Sequence, residues 1–203
     1  LGPENVAKTK EAAGWDGSQS FVVPEEVKKH FADKLPQCQK KEGDWNQLMV
    51  DYAKAYPELA QELADRIDGK MDLDLKDLLA AFKDTDSVAT RAASGTVLQL
   101  LADKIPALIG GSADLGPSNK TEMKGKGFFS ADDRTGRNIH FGIREHAMGC
   151  IVNGLCLHGG ILPFGATFLV FADFMRPAVR MAALMGIGSV FWSLNSTPLM
   201  YLT

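Results

Sequence analysis

Apolar residues along the chain follow two regimes. Up to about residue 86 they recur at helical spacing inside a polar sequence punctuated by Gly and Pro, whereas beyond it they gather into long uncharged runs. In the first regime, Glu4 to Ala13 predicts a short helix stopped at Gly14, and Pro24 opens another through Val27 and Phe31. Proline suits a first helical turn and glycine a C-terminal stop. Between them, Ser20-Phe21-Val22-Val23 predicts a tethered extended stretch. From Asp44, the positions Trp45, Leu48, Met49, Tyr52 and Ala53 keep helical spacing, and after Pro57 the run Leu59, Leu63, Ile67 continues it to Gly69. These helices predict a connecting region that packs on a core formed elsewhere.

The second regime has a different rhythm. After Ser87, an N-cap residue, Val88, Ala92, Gly95, Val97, Leu98, Leu101 and Ile105 outline a helix that stops at Pro106. Ala107-Leu108-Ile109 running into Gly110-Gly111 predicts a short buried strand. Between Glu145 and Asp173 lie 27 positions without a formal charge, a membrane-spanning length. Five glycines, Pro163, Asn153 and His158 break that stretch, so no membrane segment is expected. It divides instead into a buried helix of about residues 144–158, a Gly159-Gly160 stop, a strand Ile161–Thr167, and a helix from about Phe171 to Met185 ended by Gly186. Alternating helices and apolar strands predict an α/β fold with a doubly wound, mostly parallel sheet. A helix-rich connecting segment precedes it.

Charge sharpens the boundary. Residues 1–86 carry 12 Lys+Arg against 18 Asp+Glu, a balance of −6, and residues 87–203 carry 10 against 7, a balance of +3. The chain therefore divides into residues 1–86, a globular segment 87–187, and a tail 188–203 that holds no charge. The ten positive charges of the second part are scattered and not interleaved with aromatics, which argues against nucleic acid and leaves room for a small anionic ligand. Three cysteines, Cys38, Cys150 and Cys156, form no disulfide framework, and a reducing, cytoplasmic compartment is expected. Leu1 stands where an initiator Met would, and the chain is expected to be a piece of a longer polypeptide.

Candidate chemistry clusters in the second part. The turn Gly110-Gly111-Ser112-Ala113-Asp114-Leu115 falls where open α/β sheets bind ligands, although its glycines taken alone are first those of a simple turn. It is neither a G-x-G-x-x-G fingerprint nor a P-loop. Glu145 opens a nearly uncharged helix. It either complements the helix dipole or pairs with Arg144, or it enters an apolar pocket and shares a proton with a ligand nitrogen. Phe168, Phe171 and Phe174 recur every third residue across the strand-to-helix junction, as core or as a stacking surface for a flat heteroaromatic ligand. Arg91 and Ser118 are a helix charge and a loop hydroxyl that can also grip a sugar phosphate. No metal site is expected within this chain: Cys150 and Cys156 diverge around a helix, and His146 and His158 make no H-E-x-x-H pair.

In order and spacing, Gly111-Ser112-Ala113-Asp114-Leu115, Pro117-Ser118-Asn119, Phe141-Gly142-Ile143-Arg144-Glu145-His146-Ala147-Met148-Gly149, Leu157-His158-Gly159-Gly160 and Pro163-Phe164-Gly165-Ala166-Thr167-Phe168 together closely resemble transketolases. The resemblance reaches upstream through Val88-Ala89-Thr90-Arg91 and Phe21-Val22-Val23-Pro24-Glu25-Glu26-Val27, covering roughly residues 1–187. In family terms this is an interdomain connection followed by the pyrimidine-binding domain. The resemblance implies an enzyme dependent on thiamine diphosphate that moves a two-carbon ketol unit between sugar phosphates, as a homodimer with sites between subunits. It implies that Glu145 hydrogen-bonds the aminopyrimidine N1′ and so favours the imino tautomer. It also implies that Phe171, with Phe168 and Phe174, packs on the ring, that Asp114 lies near the cofactor, and that Arg91 and Ser118 hold the substrate phosphate.

The departures carry equal weight. The family's Gly-Asp-Gly and Asn that ligate Mg2+ or Ca2+ do not occur here and are expected before Leu1, and after Ile187 the family's Thr-His-Asp-Ser loop is replaced by a divergent sequence. The tail is expected to be a strand with an aberrant end, or sequence out of frame, which leaves a sheet edge incomplete. The chain alone is expected to be inactive. Alternatives are a relative such as dihydroxyacetone synthase or deoxyxylulose-phosphate synthase, or a non-catalytic dimerisation module. Family members in the plastid stroma share these motifs, so the stroma is the second compartment implied.

Overall fold

The structure, a computed structural model, describes residues 2–70, 73–74, 76–82 and 88–194. It divides into two compact units, Leu1–Ala60 and Gln61–Thr203. The predicted boundary at residue 86 and the N-cap Ser87 lie outside the described residues.

In the first unit, α1 (Pro3–Ala12) opens on a proline, with Glu4 in its first turn and Lys10 in its last, each complementing the helix dipole. Helix α2 (Glu25–Ala55) runs 31 residues. Its two ends are those predicted around Pro24 and from Asp44, but the helix is continuous through Pro36. A proline removes one N–H donor and crowds the carbonyl four residues earlier, yet helical sequence on both sides carries the chain across it. No residue of α1 or α2 is buried. No strand forms at residues 20–23, and the stretch bends at Ser20 and Phe21. Phe21 adopts a left-handed φ of 56° and is fully exposed, and the preceding turn is closed by Asp16, whose carboxylate accepts the Ser18 N–H at 2.8 Å. Helix α3 (Pro57–Ile67) covers the predicted run Leu59, Leu63, Ile67, and the division between the units falls within it.

The second unit holds α4 (Lys76–Ala80), α5 (Thr90–Lys104), β1 (Leu108–Ser112), α6 (Gly116–Asn119), β2 (Asn138–His140), α7 (Glu145–His158), β3 (Leu162–Phe168), a 3-10 turn (Leu169–Phe171), α8 (Ala172–Met185) and β4 (Val190–Leu194). The four strands form one parallel sheet in the order β2-β1-β3-β4. Its two faces are covered separately, as a doubly wound sheet requires. On one face Leu98, Ala102 and Ile105 of α5 pack with Leu108, Met123 and Phe164. On the other, Met148 and Val152 of α7 and Met175 and Ala178 of α8 pack with Ala113 and Phe141. Strand alternation explains the division: Phe164 faces α5, while a side chain at Gly165 would meet Met148 and Val152.

Gly110 and Gly111, expected as turn glycines, lie inside β1. Neither needs a positive φ; a Cβ at Gly110 would strike Phe164 of β3, and one at Gly111 the Ile139 backbone of β2. The glycines therefore let neighbouring strands approach. Strand β2, three residues long, carries no alternating signal in the sequence. Strand β4 lies in the charge-free tail and pairs Val190 to Leu194 with Phe164 to Phe168. Among the described residues no helix is long and apolar enough to cross a membrane.

Candidate active site

In this sheet the chain moves outward from β1 to β2, then crosses back to place β3 on the other side of β1. Ligands of open α/β sheets bind beyond the strand ends at such a reversal. The residues leaving β1 and β3 are Ala113-Asp114-Leu115 and Leu169-Val170-Phe171, and α7 begins between them in sequence at Glu145.

Ala113, Asp114, Leu115, Ile143, Glu145, Phe171 and Phe174 line a cleft of about 440 Å³. Asp114 reaches it from a left-handed backbone, φ 61°, an energetically raised conformation that Asp tolerates better than most residues. Its N–H donates to the Ser112 carbonyl at 2.9 Å, closing the turn off β1. Phe171 ends the 3-10 turn and Phe174 lies in the first turn of α8. Their rings lie 6.4 Å apart between centroids and 27° from parallel, with Phe174 largely exposed.

Glu145 is the first residue of α7 and is 9% exposed. The pairing with Arg144 does not form: the Arg144 guanidinium turns back and donates to the Phe141 carbonyl at 3.0 Å. Among the described residues the Glu145 carboxylate has neither a hydrogen bond nor an ion pair. A nearly buried acceptor with no partner, facing two aromatic rings across a cleft, suits a flat heteroaromatic ligand with a ring nitrogen.

Of the seven candidate residues, Asp114, Glu145, Phe171 and Phe174 therefore meet in one cleft, and Phe168, Arg91 and Ser118 do not line it. Phe168 is still in β3, where alternation puts it on the face of Phe164 and Ala166, opposite the α7 side. The every-third-residue spacing is broken by the change from strand to turn. Arg91 does meet Ser118, donating from Nη1 to its main-chain carbonyl at 3.2 Å and leaving the hydroxyl exposed. Ala113, Leu115 and Ile143, which complete the lining, sit inside the quoted motifs but carry no chemical signal of their own.

A buried polar network supports the turn. The Ser112 hydroxyl donates to the Ala166 carbonyl at 2.9 Å, and the Asn119 amide sits between the Ser112 hydroxyl at 2.7 Å and the Thr121 hydroxyl at 2.5 Å. Among the described residues no group of three or more His, Cys, Asp or Glu is arranged to hold a metal ion.

A family model described as "Transketolase, pyrimidine binding domain" matches residues 86–197, more than half of the chain. The chain belongs to the transketolase family. A second model, described as "Transketolase, thiamine diphosphate binding domain", matches residues 1–72, the part expected from the sequence to be an interdomain connection. The transketolase of Bacillus subtilis is 48% identical over 92% of this chain and 28% of its own length. That of Aquifex aeolicus is 46% identical over 94% of this chain and 27% of its own length. The crystal structure of Pichia stipitis transketolase in complex with sedoheptulose-7-phosphate superposes with a TM-score of 0.78 and 37% identity, over 95% of this chain and 29% of that one. The chain thus spans under a third of the length of these transketolases.

Proposed function

We propose that this chain carries the aminopyrimidine side of a ketol-transferring site, in a protein that moves a two-carbon unit from a ketose phosphate to an aldose phosphate. The observation that carries this reading is the Glu145 carboxylate, nearly buried and partnerless, across the cleft from Phe171 and Phe174. Those residues fit an aminopyrimidine. Glu145 would hold a proton against its N1′ atom, the two rings would stack against its faces, and Asp114 would close the rim. Thiamine diphosphate, when bound, supplies the thiazolium carbon that accepts the two-carbon unit.

The chain's own contribution is orientation and proton management. Excluding water around Glu145 strengthens each polar contact it makes. Arg91, held against Ser118, is the proposed anchor for a substrate phosphate, as the sugar phosphate bound to the Pichia stipitis relative suggests. Mg2+ or Ca2+ would be ligated by residues outside this chain. A second copy completing the site as a homodimer would cover Ile143, Val170 and Phe174, apolar side chains exposed around the cleft.

The test is ketol transfer by a full-length protein containing this segment, with xylulose-5-phosphate-type donors. Glu145→Gln is expected to lower kcat by about 10²–10⁴-fold, the usual worth of a positioned acid-base group. The 203 residues alone are expected to give no turnover. Unchanged kcat in the Gln variant, or turnover by the isolated chain, would contradict the proposal.

A further inference from the structure

Thr167 lies in β3 with no exposed surface, and its hydroxyl has no hydrogen-bond partner. Its main chain is engaged in the sheet opposite Ser193, so the side chain alone is left unmatched. Buried hydroxyls are almost always bonded, and an orphan one marks a place where a partner arrives or shifts.

The packing register says which group stands opposite. A Cβ at Gly165 would lie 3.0 Å from Met148 Cγ and 3.2 Å from Val152 Cγ2, so that face of β3 looks onto α7. Thr167 is on the same face, two residues and about 6.6 Å further along the strand. Helix α7 runs back against β3, its C-terminus leading through Gly159 and Gly160 into the strand. One turn, about 5.4 Å, from Met148 toward the start of α7 reaches Arg144 and Glu145. A neighbouring contact agrees with this level: a Cβ at Gly149 would lie 2.7 Å from Ala178 Cβ and 2.9 Å from Met175 Cγ, and four residues before each of the three stand Glu145, Phe174 and Phe171, which line the cleft together. Arg144 is occupied with the Phe141 carbonyl. The two partnerless polar groups of this layer, the Thr167 hydroxyl and the Glu145 carboxylate, therefore occupy the same level.

We infer that Thr167 is a positioning residue for Glu145: its hydroxyl donates to one carboxylate oxygen when the cleft is filled, aiming the other at the ligand nitrogen. The inference rests on the cofactor reading above. The donor is neutral and short, so it orients the carboxylate without adding charge.

The experiment uses the full-length enzyme with Thr167→Val, Thr167→Ser, Glu145→Gln and the Val/Gln double variant. Thiamine diphosphate affinity is measured by titration, and unfolding is measured in its absence. Thr167→Val is expected to weaken binding about tenfold, Thr167→Ser to stay within about twofold of wild type, and the valine to have no further effect once Glu145 is Gln. Without cofactor, Thr167→Val should unfold at or above the wild-type midpoint, since it removes an unbonded hydroxyl. Equal losses in both Glu145 backgrounds, or a lowered cofactor-free midpoint with unchanged binding, overturn the inference and make the hydroxyl merely structural. Thr167→Ala repeats the comparison if the valine does not fold. If Glu145→Gln weakens binding and Thr167→Val does not, only this inference falls; if wild-type enzyme binds no thiamine diphosphate, the functional reading falls with it.

Discussion

Asn119 shows how one side chain holds a site it does not line. It is fully buried, and its amide joins the hydroxyls of Ser112 and Thr121, tying the end of β1 to the residues after α6. Through Ser112 the network continues to Ala166 of β3, so both strands that feed the cleft are fastened to it. Asn119→Ala would leave the buried Thr121 hydroxyl without its partner and take one of two partners from the Ser112 hydroxyl, and is expected to cost about 1–3 kcal/mol of stability, measured by urea unfolding. A loss below a few tenths would mean that water replaces the amide without penalty. Glu145 was legible in the sequence because an acid stands out at the head of an uncharged helix. Asn119 and Thr167 were not, since one Asn in a turn and one Thr in a strand acquire meaning only through burial.

Helices and strands feel the site through the segment between α6 and β2. Residues 120–137 are pinned to α5 at several points: Arg137 donates to the Ala102 carbonyl at 2.7 Å and the Ile105 carbonyl at 2.8 Å, and Gln99 donates to the Glu122 carbonyl at 2.9 Å. Lys126 reaches Asp103 at 2.6 Å. The hydrogen bond and charge of Lys126, with a smaller push from Arg137, hold the Asp103 carboxyl below its usual value of 3.8. A carboxyl lowered in the folded state stabilises above its unfolded value, and that contribution is lost as pH falls through the folded one. Asp103 is therefore expected to titrate below 3.8 by NMR, and Lys126→Ala should move its midpoint upward, toward that value. The Asp103 carboxylate is exposed and the Lys126 side chain only half-buried, so 1 M salt should shrink the difference; a midpoint insensitive to Lys126 would refute the pairing. The periodic helices α5, α7 and α8 and the apolar strands β1 and β3 fall close to their predicted ranges. Strand β2 was invisible because Asn138-Ile139-His140 is too short to alternate, and the continuity of α2 was hidden by Pro36.

Across the whole molecule, burial is uneven. Every described buried apolar side chain falls between Leu98 and Ala182, and the first unit has none in its two helices. Helices without buried faces open locally, while strands between two covered faces open only with the fold. Hydrogen exchange followed by mass spectrometry should therefore find amides of β1, β3 and α7 protected longest, and those of α1 and α2 exchanging far faster. Protection of residues 25–55 equal to that of β3 would show that α2 is covered by something beyond this chain. The exposed Phe31, Trp45 and Leu48 on α2 are the side chains such a cover would bury.

By itself the sequence determined the α/β class, the approximate positions of α5, α7, α8, β1 and β3, and an acidic residue at the head of an uncharged helix. These follow from local periodicity, from Gly and Pro stops, and from where charge is missing, all of which are carried by neighbours in the chain. Only the tertiary structure decided that Gly110 and Gly111 serve strand approach, that Phe171 and Phe174 line the cleft with Glu145 while Phe168 is still in β3, and that Arg144 turns to the Phe141 carbonyl instead of to Glu145. Those outcomes depend on which strand lies beside which and on the face each residue presents, and the order β2-β1-β3-β4 brings together residues separated by tens of positions.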